Sequence, residues 1–270
     1  MTKRCGTLLV LGTALYGLAA QNASPQPPEQ PSSPEGLRLL HKMQGALGGA
    51  KEIAAVTDFE EIIRAEARDS NGAPLGEVLK RTRWIRTPNL LRLDQIGPRG
   101  TYVLYYDGAG SGWEILPDLE SRDQFQTTGK AIDLAGGELE FARGYLRGFE
   151  LTLWLADRTP GYSVTSPRPN VLRIARQGAA TDFTLDVTTW LPVKSSGVSL
   201  ADPARPVPAE MHYDGWQEFD GLKFPTHRVN YHSGVNRGEM TTEKISVNSG
   251  IHPIDLAAKP VDFRPDIPRR

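Results

Sequence analysis

Hydrophobic and polar residues change rhythm about sixty residues into the chain. Before that point, Leu37, Leu40, Met43 and Leu47 recur every three or four positions behind Ser33-Pro34-Glu35. That is an N-cap, a first-turn proline and an acid suited to the helix dipole, so a helix is predicted, ending at Gly48-Gly49. The stretch "AKEIAAV" adds a second short helical piece. From Phe59 the pattern shifts to short strand-like runs separated by Gly, Asn, Asp and Pro. These predict eleven strands, at 59–67, 77–86, 90–95, 101–106, 112–116, 149–155, 171–175, 181–189, 211–219, 222–231 and 239–247. One interruption, "ELEFARGYLR" at 138–147, sets Leu139, Ala142 and Leu146 beside Phe141 and Tyr145 at helical spacing. Just after it, Phe149, Leu151, Leu153 and Leu155 alternate with Glu150, Thr152 and Trp154, which places a strand there. The fold class is therefore α+β, mainly β: a large curved antiparallel sheet with a leading helix and a second helix packed across it. Two such helices cannot cover the inner side of eleven strands. The sheet either keeps a partly uncovered apolar concavity, as a hydrophobic-ligand carrier needs, or closes and fills itself.

The clearest local signal is Asp220-Gly221 between two aromatic and β-branched runs. Asp-Gly favours a two-residue type I′ turn because both central residues need positive φ. Phe219 then opposes Leu222, and the register pairs Gln217 with Phe224, Tyr213 with Arg228 and Met211 with Asn230 on one face. The other face pairs Glu218 with Lys223, Trp216 with Pro225, Asp214 with His227 and His212 with Val229. Met211, Tyr213, Phe219, Leu222 and Phe224 make the first face apolar, each contributing about 1.5 to 3 kcal/mol when buried. Three of the five histidines lie in this stretch among Glu210, Asp214, Glu218 and Asp220, a composition that raises the question of zinc or iron. The register sets His212 and His227 on the solvated face and His232 on the opposite one, so they do not converge. No metal is expected.

The N-terminus "MTKRCGTLLVLGTALYGLAAQ" has Lys3 and Arg4, an apolar run, and small residues before Gln21. This is the pattern of a cleaved signal peptide over 1–20, and it implies a periplasmic location. Residues 21–33 are rich in Pro, Ser and Gln and read as a disordered leader. A folded domain is expected over 34–256 and a tail over 257–270. The only cysteine, Cys5, lies inside the leading segment, ahead of the apolar run. Removing Lys3 and Arg4 takes the formal charge from -1 to -3, and no basic run is present, which argues against nucleic-acid binding. The Gly-rich loop "DGAGSGWEI" has neither the spacing of a phosphate cradle nor a nucleophile elbow. Without a mature thiol, a His-Glu-x-x-His or a clustered triad, no catalytic residue and no cofactor is assigned.

Taken together and in order, the signal pattern, "ALGGAKEIAAVTDFE", "WIRTPNLLRLDQ", "YYDGAGSGWEILP", "LDVTTWLPVKSSGV", "EFDGLKFPTHRV" and "TEKISVNSGIHPIDL" resemble the outer-membrane lipoprotein carrier and sorting (LolA/LolB-like) superfamily, in a sorting-like branch. The resemblance runs from about Leu37 to Leu256. It implies an open β half-barrel of about eleven strands with helices on its concave side, binding acyl chains in the periplasm without catalysis. The expected cavity residues are Leu91, Leu93, Phe149, Leu151, Leu153, Met211, Tyr213, Phe219, Leu222 and Phe224. The partners implied are a lipid or acylated lipoprotein and a membrane donor or acceptor protein, and a monomer is expected. A sensor module of the same fold and an envelope-acting hydrolase are the alternatives. The chain departs from a compact carrier in its longer 116–149 segment, in the loop "SLADPARPVPAE", and in having Leu256 where phenylalanine is usual.

Overall fold

The computed structural model describes residues 31–98, 100–118, 127–176, 179–199 and 207–259. The predicted signal segment, nearly all of the leader and most of the C-terminal tail lie outside these residues. Helix α1 (Pro34–Leu47) begins at Ser33, whose Oγ accepts the Gly36 N–H at 3.0 Å, and ends at Gly48. Helix α2 (Ala50–Ala54) follows. Next come β1 (Asp58–Arg68), β2 (Pro74–Ile85), β3 (Leu90–Gly97), β4 (Gly100–Tyr106), β5 (Gly112–Pro117) and β6 (Thr127–Asp133). Two helices, α3 (Gly137–Arg147) and α4 (Glu150–Leu153), interrupt the sheet. The chain then builds β7 (Ser163–Arg168), β8 (Val171–Arg176), β9 (Ala179–Leu185), β10 (Pro192–Ser199), β11 (Val207–Phe219), β12 (Leu222–His232) and β13 (Val235–Val247), and closes with α5 (Pro253–Ala257).

All thirteen strands form one antiparallel sheet in the order β6-β5-β4-β3-β2-β1-β13-β12-β11-β10-β9-β8-β7. The sheet is two meanders joined at the middle by β1 and β13, where Phe59 opposes Val247 and Ala67 opposes Gly238. β6 and β7 are the outer strands, so the sheet is open. Ten of the eleven expected strands are present. The eleventh is not: residues 149–155 form α4 and the turn after it, with Phe149, Leu151, Leu153, Trp154 and Leu155 all buried. Strands β6, β7 and β10 are additional to the expectation, as is α5.

Helices α1 to α4 pack on one face of the sheet. Leu39, Leu40, Met43 and Leu47 of α1, Ile53 of α2, Ala142, Tyr145 and Leu146 of α3, and Leu151 and Leu153 of α4 join inward strand residues in the main core. Two glycines permit close approach. A Cβ on Gly36 would sit 2.6 Å from Val164 O of β7, and one on Gly48, at φ +122, would sit 2.3 Å from Gly221 O in the β11–β12 turn. Gln44 donates from Nε2 to Trp154 O at 2.8 Å and to Asp157 Oδ1 at 3.0 Å, which ties α1 to the segment after α4. On the convex side α5 seats Leu256 against Ile85 and Leu90, and Arg92 donates to Leu256 O at 3.1 Å.

A partitioned concave face as the candidate binding site

The β11–β12 hairpin has the register its turn dictates. Asp220 and Gly221 take φ of 49 and 81, and Phe219↔Leu222, Gln217↔Phe224, Tyr213↔Arg228 and Met211↔Asn230 are opposed as expected. Asp214 does oppose His227, yet the His227 ring bonds Glu239 Oε1 at 2.7 Å, because β13 lies on the other side of β12 and brings Glu239 into reach. His212 sits beside Glu210 at 3.2 Å. Among the described residues no three His, Cys, Asp or Glu side chains are grouped to hold a metal ion. Trp216 opposes Pro225 as expected but does not stay on the solvated face. Gly215, at φ +63, breaks the alternation, so Trp216 packs against the core while Gln217 is exposed.

Following each strand along its concave face gives the same sequence of environments. On β1 the inward residues run Phe59, then Glu61, then Ile63, Ala65 and Ala67; on β2 they run Trp84, then Thr82 and Lys80, then Val78. β12 reads Leu222 and Phe224, then Arg228, then Asn230, and the facing part of β11 reads Tyr213, then Met211 and Ala209. Apolar residues thus stand at both ends of the strands, with a buried polar band between them.

The first apolar cluster is filled by the helices. Phe149 packs its ring against Trp84, Phe59 and Tyr145 at centroid distances of 5.0, 5.7 and 6.4 Å, and Trp154 meets Phe224 at 5.5 Å. Leu91, Leu93, Phe149, Leu151, Leu153, Leu222 and Phe224 belong to this cluster, and Phe219 packs at its margin. The second cluster holds Ile63, Ala65, Ala67, Val78, Ala209, Met211, Tyr213 and Met240, every one a strand residue. The ten cavity residues expected from the sequence therefore divide between two clusters. Only Met211 and Tyr213 fall in the second. Sequence reasoning missed Ile63, Ala65, Ala67 and Met240, which the Asp-Gly register reveals once β13 is known to lie beside β12 and β1.

The polar band is built around Arg228. Its guanidinium bonds Glu61 Oε1 at 2.7 Å and Thr242 Oγ1 at 3.2 Å, with Glu150 Oε2 of α4 at 3.9 Å. Burial works to lower the Arg228 pKa, but Glu61 and Glu150 outweigh it and hold the group charged. Burial raises the Glu150 carboxyl above its usual range, opposed by Arg228 and reinforced by Glu61. Tyr213, which shares a 2.7 Å hydrogen bond with Ser195, is likewise pushed up by burial and by Glu150. Farther along the band, the buried Lys80 Nζ donates to Tyr145 OH at 3.2 Å, and Tyr102 donates to Glu114 at 2.9 Å. Buried pairs of this kind add little net stability, but breaking one strands a charge. The band therefore links sheet to helices and separates the two apolar clusters.

Neither a family model nor a curated protein matches this chain. Among solved structures, it is similar to a domain from Vibrio parahaemolyticus provisionally named an outer membrane lipoprotein-sorting protein, with TM-score 0.50 and 11% identity over 82% of this chain and 96% of that one. It is also similar to a DUF1329 family protein from Desulfovibrio piger, with TM-score 0.53 and 11% identity over 84% and 98%. At such low identity the likeness concerns the backbone. This chain shares the fold of that lipoprotein-sorting domain: an open sheet curved into a half-barrel with helices filling part of its concave face.

Proposed function

We propose that this protein is an exported, periplasmic binding or carrier protein that holds the acyl chain of a lipid or lipoprotein non-covalently on the concave face of its sheet. The observation that carries the reading is the second apolar cluster: among the described residues, eight inward side chains from four strands, with no helix residue among them. All eight are buried, and Met211 and Met240 give the cluster unbranched side chains able to repack around a guest. The fold likeness to a lipoprotein-sorting domain supports the same reading, and so does the signal-peptide pattern at the N-terminus. No helix among the described residues is long and apolar enough to cross a membrane. The reading assigns no reaction to the site.

Native mass spectrometry of the protein purified from its own envelope, paired with titration of a fluorescent acyl probe, tests the proposal. Co-purifying lipid or acylated peptide and saturable probe uptake are expected. Introducing charge with Ala65→Asp should abolish uptake while the fold persists by circular dichroism. A protein that carries no adduct and takes up no probe is not a carrier.

A further inference from the structure

Asn230 lies just past Arg228 on the second-cluster side of the polar band. Met211 opposes it across β11 and Gly238 opposes it across β13. The residue is only 4% exposed. Its Nδ2 stands 3.4 Å from His232 Nε2, while its Oδ1 is buried and has no hydrogen-bond partner. Burial, and then Arg237, lower the His232 pKa, so the neutral ring can accept the Asn230 N–H and leave Oδ1 as the unmet group. A buried acceptor without a donor is costly, and native proteins retain few of them.

The surroundings limit what could supply that donor. On the concave face the guanidinium of Arg228 is already matched by Glu61, and the ammonium of Lys80 is already engaged by Tyr145. An anionic headgroup would have to displace one of these partners. Beside Asn230, Gly238 has no side chain, and Ala65 and Ala67 on the next strand but one are small, so the floor is low there. A slim chain with an uncharged donor near its head satisfies both the apolar floor and the lone oxygen.

We infer that Asn230 Oδ1 accepts a hydrogen bond from a hydroxyl or amide N–H near the head of an uncharged acyl chain lying against the strand-only cluster. The inference rests on the acyl-binding reading above and adds the class of ligand selected.

Displacement of a bound fluorescent acyl probe by dodecanol, N-dodecylacetamide, methyl dodecanoate and dodecanoate tests it. The alcohol and the amide should displace the probe at concentrations about tenfold lower than the ester, the effect of one buried hydrogen bond. Dodecanoate should do no better than the ester. In Asn230→Leu the alcohol and amide lose their advantage while the ester keeps its affinity. Equal affinity for alcohol and ester in the unaltered protein overturns the inference, as does tightest binding of dodecanoate or an advantage that survives in Asn230→Leu. Should that variant not fold, the ranking in the unaltered protein decides alone. If the probe itself does not bind, the acyl-binding reading falls and takes this inference with it.

Discussion

Phe224 and His227 lie three positions apart on one strand and face opposite sides of the sheet. Phe224 is 1% exposed and touches the rings of Phe59, Trp154 and Phe219, whereas His227 pairs with Glu239 at the surface. Phe224→Ala should lower stability by about 3 to 5 kcal/mol in urea unfolding, through lost burial and a cavity. Replacing both His212 and His227 by alanine should change it by no more than about 1 kcal/mol. Stoichiometric zinc or iron that vanished with the two histidines would reverse that assignment. A different residue on the convex face contributes to the response to acid. Burial would raise the Glu60 carboxyl, but Lys244 at 2.6 Å and Arg81 at 2.8 Å outweigh it and hold it below the usual carboxylate range. A depressed carboxylate stabilises the fold above its unfolded pKa, and that contribution is lost as pH falls through the folded value. Unfolding midpoints measured between about pH 5 and 3 should therefore drop more steeply in the unaltered protein than in Glu60→Gln. Parallel curves would mean the two cations contribute nothing through Glu60.

Strong local chemistry made some elements readable from their own residues. Ser33-Pro34 begins α1 and Asp220-Gly221 turns the hairpin, because a cap and a positive-φ turn are decided within a few residues. The misreading of 149–155 has an equally physical cause. Its leucines alternate with Glu150, Thr152 and Trp154, but Trp154 and Leu155 are buried alike under α1, so the alternation does not mark one wet face. Strands β6, β7 and β10 are polar, small or interrupted by proline, and they are strands because a neighbour pairs with them. Helix α3 shows how weakly a local signal can hold. It starts at Gly136 with no side-chain cap and anchors through Ala142, Tyr145 and Leu146. Its amides should exchange faster than those of β1, which is paired on both sides, and should slow when the acyl probe saturates the protein. Equal, ligand-independent protection in the two elements would make α3 fixed core packing.

At the scale of the whole molecule, the candidate site depends on strands far apart in the chain. Ala65 meets Met240 only because β1 closes against β13, and Glu61 meets Arg228 only because β12 lies next in order. Sequence alone determined ten of the thirteen strands, the leading helix, the hairpin register and the apolar face of Met211, Tyr213, Leu222 and Phe224. These follow from side-chain alternation and turn geometry, which act over a few residues. Tertiary structure decided that the helices fill one end of the concavity, that a charged band crosses it, and that Asn230 is left with a buried, unmet oxygen. Those outcomes depend on which strands become neighbours, and strand neighbours are chosen by the packing of the entire sheet, about which no single run of residues carries information.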